Sequence, residues 1–444
     1  MALSHERLVR LRARRRVRPA SGERRSTRSD RRPGPERAVF RPRGSDGLRL
    51  PRALADGAAG GASRGPPARA VEGGELAGRR PCATLLRRAG MARGDLRERV
   101  MPAGDDLRVL HLFGSRASDF YAELSCMYAE QVLAPPGVAA VFASVAPDGA
   151  WRFGARPDAI SGPLPLAEAL RRMPAVDLAA PHMFCVEGMT TYRALFEDLL
   201  GIPVVGSDAA TTTLATRKSW TRDVLAAAGL ATPRGELVAR GAAPAVAPPV
   251  VVKPNREDNS RGVSVARTAA EVAAAVDAAR AFDEEVIAEE FIPGRELRVA
   301  AIELEGDLLT PAFIEYPTSA ARPIREAADK LETGADGLRL SRRADAQPVC
   351  PANVSPDLAA RLRDVARRAH RAIGARDYSL FDVRVHASTG EPYILEAGLF
   401  WTFSELSAIT RMLRGAGRDP AEITGRLWRA AAARGVPRGV GRAA

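Results

Sequence analysis

Two acidic residues, Asp382 and Glu396, carry the sharpest chemistry in this 444-residue sequence. They fall in the apolar runs Ser379–His386 and Tyr393–Ala397, joined by Ser388-Thr389-Gly390, which predicts a β-hairpin. Side chains alternate along a strand, so Asp382, Arg384 and His386 share one face while Phe381, Val383 and Val385 turn to the core. A turn centred on Thr389 pairs 386 with 392, 384 with 394 and 382 with 396. Carboxylates so opposed stand about 5 Å apart and repel. A divalent cation between them relieves the repulsion, and hard oxygen donors working beside phosphate suit Mg²⁺, or Mn²⁺. The competing reading is a solvated strand face on which Arg384 neutralises both acids.

The second signal is a scarcity. The chain has 63 arginines and only three lysines, Lys218, Lys253 and Lys330. A composition this biased puts Arg wherever a generic cation suffices, so the remaining lysines mark places that need a compact ammonium. Phosphate oxygens at close quarters are the commonest such need. Lys253 ends a β-branched run and precedes the polar loop Asn255–Gly262, where Ser260 adds a hydroxyl and Gly262 allows close approach to a phosphate. Downstream, Glu289-Glu290-Phe291-Ile292 leaves a strand and bends at Pro293-Gly294. That segment can offer backbone groups to an adenine edge, with Glu296 available to ribose hydroxyls.

These residues need elements to hold them. Leu107–Phe113 reads as a buried strand, 120–133 as a helix, and 175–183, 194–200 and 202–206 as strand, helix, strand, a small parallel α/β unit. A helix at 220–228 follows. Strands at 250–253 and 263–266, a helix at 269–281 and strands at 285–289 and 296–303 then form a β-loop-β, helix, β module. A helix at 356–373 precedes the acidic hairpin, and no internal repeats are visible. The fold class is α/β. Its expected divisions are a tail at 1–103, an N-terminal α/β domain at 104–208, a central subdomain at 209–294, a C-terminal subdomain at 295–416 and a closing helix and tail at 417–444.

Charge excludes some functions. The net charge is +13, but residues 1–100 hold 26 arginines and ten acids, whereas the other 344 residues hold 40 bases and 43 acids. The body is mildly acidic, which argues against nucleic acid as a partner. The tail reads as an over-extended start; a phosphate-binding arm and a transit peptide, poorly matched by its ten acids and six serines, are the alternatives. No run approaches 18 apolar residues, so no membrane partner is expected. Four scattered cysteines, Cys82, Cys126, Cys185 and Cys350, fit a reducing, cytoplasmic setting.

Taken in order, the motifs resemble an ATP-grasp ligase of the D-alanine–D-alanine ligase family over about residues 107–415. Gly201–Ser207 with Thr216-Arg-Lys218, Val252-Lys253-Pro254 through Ser260-Arg-Gly262, Ala288–Leu297, Phe381-Asp382-Val383 and Leu395-Glu396-Ala397 carry the resemblance. It implies ATP and Mg²⁺ as cofactors. Lys218, Lys253, Ser260 and Gly262 would serve the phosphates, Glu289, Glu290, Phe291, Ile292 and Glu296 the nucleoside, and Asp382 and Glu396 the metal. Lys330 sits where the lid lysine falls, and Lys253, Ser260, Lys330 and Arg384 would be catalytic. Ser118, Asp119, His182, Glu187 and Ser407 would meet substrate, and a homodimer would be common in the family.

The departures point to a branch. Gly398, Leu380 and Leu331 replace the family's metal Asn, oxyanion Arg and lid Tyr, and Trp401-Thr402 replaces a Pro-Gly pair. Leu110–Ser115 with Asp119-Phe-Tyr121, Pro181–Cys185, Gly188–Phe196, Ala328–Leu331 and Tyr378–Asp382 resemble the ligases of mycosporine-like amino acid biosynthesis. This implies small-molecule substrates, mycosporine-glycine and an amino acid of the Ser/Thr/Gly class. The alternatives are a D-alanine–D-alanine or related dipeptide ligase, working on amino acids alone, and a degenerate ATP-binding scaffold.

Overall fold

The computed structural model describes residues 106–334 and 337–435; the expected tail at 1–103, with Cys82, and the last nine residues lie outside them. The first sheet contains β1 (Leu107–Gly114), β2 (Val138–Val145), β3 (Trp151–Arg156), β4 (Ala159–Ile160) and β5 (Leu178–Pro181), ordered β4-β3-β2-β1-β5. β1 is parallel to β2 and β5, but β3 and β4 add antiparallel, so the expected parallel sheet is a mixed one. The expected strand at 202–206 reduces to one bridge between Val204 and Ala179. Pro203 beside it has no N–H to extend a ladder. The helix expected at 194–200 widens to a π turn over Leu195–Leu200 and stops at Gly201, whose φ of 72° suits glycine.

The second sheet holds β6 (Gly235–Leu237), β7 (Val250–Pro254), β8 (Ser264–Ala266) and β9 (Val286–Glu290), ordered β6-β9-β7-β8 with antiparallel pairs throughout. The helix Ala269–Arg280 covers it, burying Val272, Ala275, Val276 and Ala279 at the i, i+3, i+4, i+7 spacing of one helical face.

The third sheet is built on β10 (Gly294–Leu304), flanked by β11 (Asp307–Leu309) and β12 (Ile314–Tyr316). A small hairpin of β13 (Leu331–Gly334) and β14 (Gly337–Leu340) intervenes. β15 (Tyr378–His386) and β16 (Pro392–Gly398) then complete the order β11-β10-β15-β16. Phe381, Val383 and Val385 pack under the helix Pro356–Ala372 through Leu358, Leu362, Ala366 and Ala369, as alternation required.

The acidic hairpin is therefore not free-standing, because β15 lies between β10 and β16. Its register also corrects the expected one. Near the turn Val385 faces Pro392 and Arg384 faces Tyr393, one residue off, and a bulge between Asp382 and Val383 then restores Asp382 opposite Glu396. The bulge absorbs one extra residue on β16 and so brings the two carboxylates level.

Candidate active site

A cleft of about 740 Å³ lies where the second and third sheets meet, and Lys218, Lys253 and Lys330 all line it. Each lysine arrives on a different element. Lys218 opens the helix Lys218–Ala227, whose start is tied to Asn255 by the Lys218 and Ser219 amides. Its Nζ donates to the Glu257 carbonyl at 2.5 Å and lies 3.5 Å from Glu396. Lys253, on β7, is 6 % exposed, pairs with Glu289 of β9 at 2.6 Å and donates to the Leu395 carbonyl at 3.3 Å. Lys330 ends the short helix Ala327–Lys330. Burial and the neighbouring Arg325 lower its pKa, while Asp258, Glu396 and Asp382 pull the other way.

Asp382 and Glu396 enter the same cleft from β15 and β16. Burial alone would raise the Asp382 pKa, but the Arg298 guanidinium overcomes it and holds the carboxyl below the usual carboxylate range. Arg298 stands directly opposite Asp382 on β10 and grips it bidentately, through Nε and, at 2.7 Å, through Nη2. This residue was not among the expected ones. The alternation of Glu296 and Arg298 on one face of β10 was readable, but the register that sets Arg298 against Asp382 was not.

Among the described residues no group of three or more His, Cys, Asp or Glu side chains forms a metal cage. Two ionisable carboxylates at one register position, with Gly398 in place of a third donor, leave most positions to phosphate oxygens and water. That donor set suits Mg²⁺, which keeps several waters and shares substrate phosphates. Asp382 and Glu396 would hold it.

The loop after β7 carries two consecutive left-handed residues, Asn259 (φ 57°) and Ser260 (φ 59°), a strained turn beside the cleft. Gly262 is required by the loop itself. Its φ is +71°, and a Cβ there would stand 2.7 Å from Phe282 and 2.8 Å from Pro254, so glycine lets the loop fold on itself.

At the hinge, Glu289, Glu290, Phe291 and Ile292 border the cleft. The Glu290 amide is already committed to the Arg234 carbonyl at 2.8 Å, and its carboxylate takes the Arg234 amide at 2.9 Å, because β9 is an interior strand. Glu296 is buried between Arg384 at 3.8 Å and Arg325 at 3.9 Å, and burial raises its pKa. Arg384, expected among the catalytic residues and weighed as the neutraliser of both acids, is engaged at the hinge instead of with Asp382. It donates to the Pro323 carbonyl at 2.6 Å and the Gly294 carbonyl at 2.7 Å and lies over the Phe291 ring.

A second cavity of about 700 Å³ shares Asn259, Lys330, Asp382 and Glu396 with the first and extends to Arg298, Leu380, Thr402 and Ser407. Its wall is aromatic: Phe184 lies 4.9 Å from Tyr128 and 4.6 Å from Phe400 between ring centres. Ser407, expected to meet substrate, borders this cavity and also caps the helix Ala408–Gly415. Ser118, Asp119, His182 and Glu187 border neither cavity. Ser118 caps the helix Asp119–Ala129, Asp119 and Glu187 face solvent, and His182 is buried against His111 at 2.9 Å. The same helix reaches the site one turn later: the Tyr121 hydroxyl meets Glu257 at 2.5 Å, and Glu123 accepts from the Leu338 amide of the small hairpin at 2.5 Å.

Residues 236–428 match the D-ala D-ala ligase C-terminus family. The D-alanine–D-alanine ligase of Geotalea uraniireducens is 30% identical over 240 residues, covering 53% of this chain and 72% of that protein. The enzyme of the same name from Citrifermentans bemidjiense is 32% identical over 236 residues, with the same coverage. Among solved structures, the VanG D-Ala:D-Ser ligase of Enterococcus faecalis superposes with a TM-score of 0.60 at 20% identity, over 72% of this chain and 98% of that one. The D-alanine–D-alanine ligase of Coxiella burnetii gives 0.59 at 16%, over 74% and 95%. The cleft, its three lysines and its paired carboxylates thus lie in an ATP-grasp fold, and the chain belongs to the D-alanine–D-alanine ligase family, as an ATP-dependent C–N ligase.

Proposed function

We propose that the enzyme is an ADP-forming ligase that couples two amino acids through an acyl phosphate. The observation that carries this reading is the convergence of all three lysines with Asp382 and Glu396 in one cleft. Lys218 and Lys253 neutralise the phosphates of ATP, Lys330 closes over them with the small hairpin, and Ser260 adds a hydroxyl at the loop. Asp382 and Glu396 would hold a Mg²⁺ or Mn²⁺ ion, which would supply charge neutralisation to the ATP phosphates. A carboxylate oxygen of the first substrate attacks the γ-phosphorus and ADP leaves. The amine of the second substrate then attacks the acyl carbon, loses a proton, and expels phosphate as the C–N bond forms. The relatives' names support this version.

A second reading has its own observations. Leu380 and Gly398 stand beside the aromatic wall of Tyr128, Phe184 and Phe400 in the second cavity. That wall suits a flat ring better than the methyl group of alanine. In this reading the first substrate is mycosporine-glycine, whose ring enone oxygen is phosphorylated. The amine of glycine, serine or threonine then displaces phosphate to give an imine. Both versions place the enzyme in the cytoplasm, in keeping with Cys126, Cys185 and Cys350, which form no disulfide among the described residues.

The test is ADP release by the full chain with Mg²⁺-ATP, given D-alanine in one arm and mycosporine-glycine with glycine, serine or threonine in the other. Turnover with D-alanine, lost in Lys253→Ala and Glu396→Ala, supports the acyl phosphate. Turnover in the second arm alone replaces it with the imine-forming reaction. ATP binding without turnover in either arm supports a scaffold instead.

A further inference from the structure

We infer that Arg298 anchors the carboxylate of the amine-bearing substrate in the second cavity, which rests on the ligase reading above. Three observations meet there. First, Arg298 is fixed: its Nε and Nη2 are both held by Asp382, and Tyr316 lies under the guanidinium at 5.5 Å from the ring centre. A guanidinium held along one edge keeps its remaining N–H groups pointed in one direction. Second, Nη1 has no protein hydrogen bond among the described residues, and Arg298 borders both this cavity and a neighbouring one lined by Tyr316, Leu331 and Leu340.

Third, the same cavity is bordered by polar groups left without partners. The Asn259 amide nitrogen and the Thr402 hydroxyl are both buried and unpaired among the described residues. Buried polar atoms left so are costly unless something pairs with them. Lys330 adds a cation, and the acids bordering the cavity, Asp258, Asp382 and Glu396, lie along the side it shares with the nucleotide cleft. Away from that side the cavity is bordered by Thr402, Ser407 and the aromatic wall, and Arg298 stands beside Asp382 where the two sides join. An amino acid fits: its carboxylate meets Arg298, and its amine points back toward the acidic, metal-binding edge where the bond forms. Arg298 thereby links the metal carboxylate to the second substrate, so that ordering one orders the other.

Arg298→Lys keeps a cation beside Asp382 but loses the planar fork, and Arg298→Met removes both. The full chain is assayed with saturating Mg²⁺-ATP and the first substrate of whichever arm turns over. The amine substrate is offered as the free amino acid or as its carboxamide: glycine against glycinamide with mycosporine-glycine, or D-alanine against D-alaninamide. Products are counted by mass spectrometry, and ATP affinity is measured separately by calorimetry. The native enzyme is expected to favour the free acid by about 10- to 100-fold in kcat/KM, the range of a hydrogen bond to a charged group. Arg298→Lys is expected to retain ATP affinity and to bring that preference close to unity, chiefly through KM. An unchanged preference in Arg298→Lys, with activity lowered equally for acid and amide, makes Arg298 a support for Asp382 alone and overturns the assignment. Loss of ATP affinity in Arg298→Lys does the same. If the native enzyme turns over neither arm, the ligase reading itself falls and takes the assignment with it; turnover with an unchanged preference sinks only the assignment.

Discussion

The two cavities that meet at Asp382 and Glu396 are built on opposite principles. On the nucleotide side charge is paired in advance: Lys253 with Glu289, Lys218 with Glu396, Arg234 with Glu290, and Glu296 between two arginines. In the second cavity the Asn259 amide nitrogen and the Thr402 hydroxyl have no partner among the described residues, and aromatic rings make the wall. Paired charges hold a geometry before any ligand arrives, which suits a triphosphate that every turnover must seat identically. Unpaired donors against a hydrophobic wall leave the choice of ligand to complementarity, which suits the half of the site that discriminates substrates. A family can therefore keep the first half and rebuild the second.

The contrast can be broken hardest at its boundary. Asp382→Asn removes a charge that borders both cavities and should lower ADP release by about 10²- to 10³-fold, the scale of losing one preorganised electrostatic contact. A smaller loss in steady-state rate would mean that Glu396 alone suffices. Within the nucleotide half, Lys253→Met leaves the buried Glu289 with only the more distant Arg222, at 3.9 Å, and should cost up to about 3 kcal/mol. Urea unfolding at constant slope measures it, and adding Glu289→Leu should return most of the loss. Were the single variant as stable as the native chain, the pairs would not be holding the geometry.

A control lies in the first sheet, where burial suppresses charge instead of pairing it. Burial lowers the pKa of His111, with His182 as the second cause, and drives His182 down to about 3. In the unfolded chain an ordinary histidine titrates near ~6.5, so below that value the unfolded state binds protons the fold refuses. Stability from the pair is complete above pH ~6.5 and declines as pH falls toward 3, by at most about 1.4 kcal/mol per pH unit for each ring. Denaturant midpoints between pH 7 and 5 should show this slope in the native chain and a shallower one in His182→Gln. The smallest effect belongs to Glu290→Gln, because Arg234 is highly exposed in that pair. A shift in stability of less than about 1 kcal/mol is expected, with ATP affinity unaltered. A loss of ATP affinity there would show that the hinge carboxylate, and not only its backbone, meets the nucleotide.

Much of the nucleotide half was readable because its signals are local. Lys218, Lys253 and Lys330 stand out by composition alone, and they do converge. The helix Ala269–Arg280 and the core face of β15 follow from periodicity. Errors came where distant chain segments compete for the same atoms. Arg384 looked as well placed as any arginine to serve Asp382, until β10 supplied Arg298 from across the ladder and the hinge carbonyls of Gly294 and Pro323 claimed Arg384. His182 carries chemistry in its type, yet a neighbouring strand buries it against His111.

By itself, the sequence singled out the candidate phosphate and metal residues and the strand faces of Asp382 and Glu396, because residue type and alternation are properties of neighbouring positions. Only the tertiary structure decided which cation faces which carboxylate and what surrounds the second cavity. Those outcomes depend on the pairing of β10 with β15, the bulge that levels Asp382 with Glu396, and the meeting of Tyr128, Phe184 and Phe400 from three separate segments. Contacts between residues far apart in the chain are selected by the packing of whole elements, and no local spacing encodes them.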